Sequence, residues 1–333
     1  MNQLRPLLSG DALMPGVTTR AIPGQCVMLE DGTTGQSAVI GRFNSAIRGT
    51  GNQMEPLEEG FAELGIPALR RLAASAGDWA FVDEIGYLES GCPAYQGALE
   101  ELLARKSVLA VLRKQDTPLI ERLKSREDVF LYDLDRPLPT LGCILMASGQ
   151  GQRFGGNKLL AAFHGQPLIR QILSATDTAF FSRRIVVTRS PEVAALCHSM
   201  GVEAVLHDQP YRNDTVRIGL ESLSVPLPDG CMFCPCDQPL LSKDTLETMA
   251  CAFIGQSERI HRLSWQGAPG SPIIFPRRCY PALKSLPQGK GGSYVARSSG
   301  EQVLLVEAPS AWELKDVDTP EDLQTLENKS AAT

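Results

Sequence analysis

Between residues 140 and 240 short apolar runs alternate with stretches whose apolar positions recur every three or four residues. The spacing predicts strands at 143–147, 185–188, 202–206 and 231–236 and helices from about 167, over 191–200 and over 215–223. That alternation is the pattern of a mostly parallel, doubly wound α/β sheet, with ligands at the carboxyl ends of its strands. Beyond it, RIHRLSWQGAPGSPIIF predicts a two-stranded excursion turned at Gly267-Ala268-Pro269-Gly270 and suited to wall a pocket. A closing helix starts at Thr319-Pro320-Glu321-Asp322, which has the form of a capping box.

The first half is less regular. Strands at 79–83, 108–112 and 129–131 and a helix over 93–103 predict another α/β unit, with a β-rich segment (QCVMLED, SAVIGRF) before it. VFLYDL then gives way to DRPLPTLG, whose two prolines interrupt any regular element. A chain of 333 residues exceeds what one core usually serves, so two domains are expected, 1–136 and 140–328. No repeat of fixed period occurs.

Composition narrows the class. With 32 Lys+Arg against 38 Asp+Glu the chain is slightly acidic, which argues against a nucleic-acid partner. The opening MNQLRPLLSGDALMPG lacks a signal-peptide core, and no run approaches the roughly 20 apolar residues of a membrane span, so a soluble cytoplasmic protein is expected. Nine cysteines, an odd number without framework spacing, predict reduced thiols.

Two segments carry candidate chemistry. Directly after CILMA comes Ser148-Gly149-Gln150-Gly151-Gln152-Arg153-Phe154-Gly155-Gly156-Asn157-Lys158. Its glycines let backbone N–H groups approach phosphate, and Arg153 and Lys158 add positive charge, a combination suited to a nucleoside triphosphate. It is neither a P-loop nor a Rossmann fingerprint, and a plain strand-to-helix connector has the same composition. The second segment, Cys231-Met232-Phe233-Cys234-Pro235-Cys236-Asp237-Gln238-Pro239, is an apolar run ending in one carboxylate. Asp237 at a strand's carboxyl end is the first candidate ligand for magnesium, which favours one or two carboxylates plus substrate phosphates; a turn-forming aspartate fits the same position. Without a matching Cys/His pair elsewhere, the adjacent cysteines read as core.

Four segments in order, Ala147-Ser148-Gly149 through Arg153-Phe154-Gly155 to Lys158, Cys236-Asp237-Gln238-Pro239, Gly267-Ala268-Pro269-Gly270-Ser271-Pro272 and Asp316-Val317-Asp318-Thr319-Pro320-Glu321-Asp322-Leu323, resemble the molybdenum cofactor cytidylyltransferases and guanylyltransferases. The resemblance spans about 140–328. It implies a magnesium-dependent transfer of CMP, or of GMP, from CTP or GTP to the phosphate of molybdopterin or the molybdenum cofactor, with a molybdoenzyme apoprotein as a further partner. By the same likeness Ala147, Ser148, Gly149, Gly151, Gly155 and Gly156 would hold the nucleotide. Arg153, Lys158 and Asp237 would act in the transfer, and Asp318 would be a second metal ligand beside Asp237, a position that a turn or cap explains equally well. Such a transfer requires no protein nucleophile, so the four histidines are left without a catalytic role. Three positions depart from the family. Ser148 stands where cytidylyltransferases carry Ala and guanylyltransferases Gly, Lys290 replaces an acidic residue between glycines, and Arg212-Asn213-Asp214-Thr215 replaces a Ser/Gly-rich loop. A sugar or alcohol phosphate acceptor, and a non-catalytic carrier of the cofactor, remain alternatives.

In the first half, Phe81-Val82-Asp83-Glu84-Ile85-Gly86, followed by Arg113-Lys114, resembles the small nucleoside-triphosphatase family that carries Asp-Glu-Ile-Gly, over about 15–135. No Gly-x-x-x-x-Gly-Lys-Ser/Thr occurs, and the sequence appears to begin after the segment that would contain it. The expectation is a degenerate domain that docks on the transferase or on a molybdoenzyme, with a retained but unusual nucleotide site as the alternative and a solvated acidic pair as the plain reading of Asp83-Glu84.

Overall fold

The computed structural model describes residues 15–47, 53–149, 151, 153–298 and 303–330. It divides into two α/β units, one ending at Leu131 and one beginning at Tyr132. Among the described residues no helix is long and apolar enough to cross a membrane.

The first unit holds a six-stranded sheet in the order Met54–Pro56, Ser37–Phe43, Cys26–Asp31, Gly16–Ile22, Trp79–Ile85, Ser107–Leu112. Its first four strands pair antiparallel as a meander, and the last two join parallel, as expected when a helical crossover separates them. Pro93–Leu103 is the predicted helix, with proline in the first turn, where a missing N–H costs nothing. Leu29, Ile40, Phe61, Leu69, Val82 and Leu99 form the core beneath it. One expected strand is absent: residues 129–131 form none, and Phe130 and Leu131 are about half exposed. VFLYDL has β-prone residues, but a strand exists only where a neighbour takes its hydrogen bonds.

The second unit is built on a seven-stranded sheet in the order Glu203–Leu206, Phe181–Thr188, Leu141–Ala147, Gly230–Pro235, Ala268–Pro276, Ile260–Trp265, Val303–Glu307. The first four strands run parallel with helices between them, the doubly wound arrangement read from the alternation. Packing accounts for the short repeat of each unit. Helix Arg212–Ser222 lies so close on the sheet that a Cβ on Gly219 would come within 2.7 Å of Ile144 Cγ2. Ile144, Ile185, Val187, Val216, Leu220 and Phe275 interlock there.

The segment expected to be an excursion is part of the main sheet. Ala268–Pro276 pairs antiparallel with Gly230–Pro235, and Val303–Glu307 adds parallel to Ile260–Trp265. The hairpin turns at Gln266 and Gly267, with φ of 49° and 74°, and not across Gly267 to Gly270. Two successive positive φ angles match the twist of paired strands, which explains why the tightest turn wins.

Candidate active site

The glycine loop leaves the carboxyl end of Leu141–Ala147, and Asp237 follows the carboxyl end of the neighbouring parallel strand Gly230–Pro235. Parallel pairing therefore delivers both segments to one edge of the sheet. Within the loop, Gly151 has φ of 57°, and a Cβ there would lie 2.3 Å from the Gly156 carbonyl oxygen, so only glycine fits. Phe154 N–H donates to the Gly151 carbonyl at 2.8 Å and closes the turn. Around Gly149, Gly155 and Gly156 a Cβ would meet nothing within 4 Å, which leaves the backbone approachable. Gln150 and Gln152 of this loop lie outside the described residues.

The loop ends at Asn157, whose side-chain oxygen caps Leu159 N–H at 3.2 Å and starts a short turn of helix at Lys158. Lys158 Nζ then donates to Asp237 Oδ2 at 2.6 Å and to Asp318 Oδ1 at 3.2 Å. Arg153 Nη2 lies 2.9 Å from the other oxygen, Asp318 Oδ2. Three segments far apart in sequence thus meet at one point, the loop contributing both of its cations. The Lys158 side chain is only 10% exposed, against 24% for Asp237 and 75% for Arg153. Burial disfavours the Lys158 ammonium, but the charges and hydrogen bonds of Asp237 and Asp318 more than offset it and hold its pKa above the ordinary lysine value.

The frame of these carboxylates comes from residues to which the sequence assigned no role. Gln238 is buried and its Nε2 donates to Asp316 Oδ1 at 2.9 Å and to the Leu314 carbonyl at 3.3 Å. Val317 N–H donates to the Asp237 carbonyl at 2.8 Å, so the Asp316–Asp318 segment is laced to the strand end. The predicted capping box forms: Asp322 Oδ2 accepts from Thr319 N–H at 2.8 Å and from Asp318 N–H at 3.1 Å, while Thr319 Oγ1 accepts from Asp322 N–H at 3.2 Å. Gln238 and Asp316 lie 78 residues apart, and no local spacing signalled this lacing.

Ser148 follows Ala147, the strand's last residue, and its hydroxyl donates to the Val187 carbonyl at 3.0 Å and lies 2.7 Å from His207 Nε2. With its proton committed to the carbonyl, Ser148 Oγ accepts from Nε2–H, which sets the tautomer of the ring. Burial, then the nearby Arg189, keep the His207 pKa below the ordinary value, so the ring is neutral at neutral pH. His207 had no expected role, and two residues on different loops gave no local pattern to find it by.

The cysteines behave as core. Cys143, Cys231, Cys234 and Cys236 are buried, all nine are free, and burial pushes these four thiols up, Cys143 to about 12. Among the described residues no group of three or more His, Cys, Asp and Glu is placed to hold a metal.

In the first unit, Asp83 and Glu84 end the strand Trp79–Ile85, and Glu84 pairs with Arg113 at the end of the adjacent strand. Glu84 is thus half of an ion pair and not simply a solvated acid. Beside it, a small open cleft of about 30 Å³ is lined by Thr19, Glu84, Gly86, Tyr87, Glu89 and Arg113. Glu89 Oε2 accepts from Gly86 N–H at 2.7 Å, and burial raises the Glu89 pKa above the ordinary carboxyl value.

Comparison with known proteins gives two separate matches. Residues 143–303 match the family described as the MobA-like NTP transferase domain, and residues 26–137 the family described as NTPase. The purine catabolism protein PucB of Bacillus subtilis (strain 168) is 28% identical over 201 residues, 55% of this chain and 94% of that protein. A 3-deoxy-manno-octulosonate cytidylyltransferase of Neisseria meningitidis is 25% identical over 95 residues, 28% of this chain, which spans only 38% of that relative. A nucleotidyl transferase from Methanothermobacter thermautotroptrophicus shares the fold, with a TM-score of 0.50 at 20% identity over 58% of this chain and 98% of that one. By these matches residues 143–303 are similar to the MobA-like NTP transferase domain, and residues 26–137 to the NTPase family.

Proposed function

We propose that the second unit transfers a nucleoside monophosphate, CMP before GMP, from an NTP to the phosphate of molybdopterin or the molybdenum cofactor and releases pyrophosphate. The observation that carries this reading is the convergence of Arg153, Lys158, Asp237 and Asp318 at the mouth of the glycine loop. The loop's N–H groups would cradle the triphosphate, and Arg153 and Lys158 would offset the charge that gathers on the departing pyrophosphate. The acceptor phosphate oxygen forms a bond to the α-phosphorus in line as the bond from that phosphorus to the β-phosphate bridge breaks. No protein nucleophile is needed, because the chemistry asks for positioning and charge.

The residues fit a divalent metal. A small cation, the Lys158 ammonium, already stands between two carboxylate oxygens, and the donors are hard oxygens of the kind magnesium takes. Asp237 and Asp318 would hold it, and when bound it withdraws charge from the reacting phosphate. A relative named for cytidylyl transfer to 3-deoxy-manno-octulosonate favours CTP as donor and supplies the second reading, a sugar-derived acceptor. Pyrophosphate release measured with each NTP, against molybdopterin and against sugar phosphates, separates the two.

We infer that the first unit takes no part in this chemistry. Its acidic strand end pairs with Arg113, and the sequence holds no Gly-x-x-x-x-Gly-Lys-Ser/Thr. Its role is docking, on the transferase unit or on a molybdoenzyme. Residues 1–136 alone are expected to hydrolyse no NTP, and measurable phosphate release from them would refute that.

A further inference from the structure

The lysine that the triphosphate needs is already bound elsewhere. Lys158 Nζ touches both Asp237 and Asp318, while Arg153 holds the outer oxygen of Asp318. Arg153 and Lys158 thus stand against Asp237 and Asp318, with Asp316, held by Gln238, also within electrostatic range of Lys158. The lacing of Val317 to Asp237, and of Gln238 to Asp316, fixes the backbone from which the carboxylates project, and Lys158 Nζ bonds to both carboxylates at once. A divalent ion placed between them would meet the ammonium at close range in a poorly solvated spot, where like charges repel strongly. A triphosphate changes that balance, because its oxygens offer both cations a new anionic partner.

We propose that Lys158 is a removable stand-in for the divalent cation, and that it yields its place between Asp237 and Asp318 only when a triphosphate arrives with its metal. The inference rests on the reading of Asp237 and Asp318 as metal ligands, and it adds a role for Lys158, which couples entry of the metal to arrival of the nucleotide. Free metal binds weakly and nucleotide tightens it. Linkage makes that coupling reciprocal, so metal tightens the nucleotide by the same factor. Lys158 therefore does two things, guarding the carboxylate pair and then engaging phosphate.

The test is a titration of the full chain with Mn²⁺ alone, following the free ion by its electron paramagnetic resonance signal, repeated with CTP present. Lys158→Met and Lys158→Gln are compared with the parent, each melted with and without Mn²⁺. Both variants are expected to bind Mn²⁺ alone more tightly than the parent, by a factor within the roughly 5–150-fold range of ordinary site coupling, and CTP should then change their Mn²⁺ affinity less. Mn²⁺ should also raise their melting temperatures more than it raises that of the parent, which keeps the test readable if a variant is only marginally folded. Mn²⁺ affinity no higher than the parent's in the folded variants, or no larger rise in melting temperature, overturns the proposal while leaving the proposed transfer standing. Asp237→Asn is the reference. If it binds Mn²⁺ with CTP as well as the parent does, the metal assignment fails and the proposal falls with it.

Discussion

Asp237→Asn separates a catalytic role from a structural one, because the geometry predicts very different sizes for its two effects. In the parent, Asp237 Oδ2 accepts from Lys158 Nζ at 2.6 Å. Asparagine keeps the shape and one acceptor oxygen, so the contact persists as a bond to a neutral acceptor. The difference between a charge-assisted and a weaker hydrogen bond is about 1 kcal/mol. Asp318, 3.2 Å from the same ammonium, continues to offset the buried charge. For a unit the size of Tyr132–Thr333, about 1 kcal/mol corresponds to a fall in Tm of roughly 2–4 °C. Loss of a group that stabilises transition-state charge through the metal is larger, on the order of 10²–10³ in rate. Thermal melts and pyrophosphate release on the same preparation measure both. Turnover within a few-fold of the parent refutes the metal assignment, and a collapse of the melt would show that the carboxylate mainly holds the fold.

Lys158→Ala is expected to lower transfer by about 1.5–3 kcal/mol, roughly 10–150-fold, and Arg153→Ala, which alters a far more exposed side chain, by about the lower figure; CTP binding and turnover with both unchanged would make the loop a plain connector. Gly151→Ala puts a Cβ 2.3 Å from the Gly156 oxygen at a φ of 57°, so it should displace the loop, abolish CTP binding by calorimetry and cost about 1–3 kcal/mol in the melt. His261 is buried, its Nδ1 pairs with the Arg259 carbonyl, and burial lowers its pKa to about 4. The unfolded chain, with His near 6.5, then binds more protons below that pH, so the His261 contribution is complete above about 6.5 and is lost as pH falls towards 4. His261→Gln should flatten that part of a melting curve series run from pH 7 to pH 4, and an unchanged slope would contradict the burial argument.

The parallel half of the second unit was legible because each strand is a short apolar run and each helix keeps its 3.6-residue period. Strand Leu141–Ala147 and helix Pro191–Ser199 fall within two residues of expectation. Pairing was not legible. Residues 260–276 read correctly as a hairpin, yet only tertiary register places Ala268–Pro276 against Gly230–Pro235 and makes it a central strand. The same limit produced a strand over 129–131 that no neighbour supports. At the site, Arg153, Lys158 and Asp237 stood out by residue type beside a glycine loop or a strand end, and Asp318 by the family resemblance alone. Their meeting did not, since Lys158, Asp237 and Asp318 are joined only by the fold. Ser148 with His207, and Gln238 with Asp316, are contacts between loops, and no local spacing encodes them.

The most direct test of the account is a pyrophosphate-release assay on the full chain with each of the four NTPs, Mg²⁺ and molybdopterin. The account predicts release that requires CTP, or GTP at a lower rate, that requires the acceptor, and that disappears in Asp237→Asn. Absence of pyrophosphate with every NTP and acceptor, from protein that is folded and binds CTP, would contradict it.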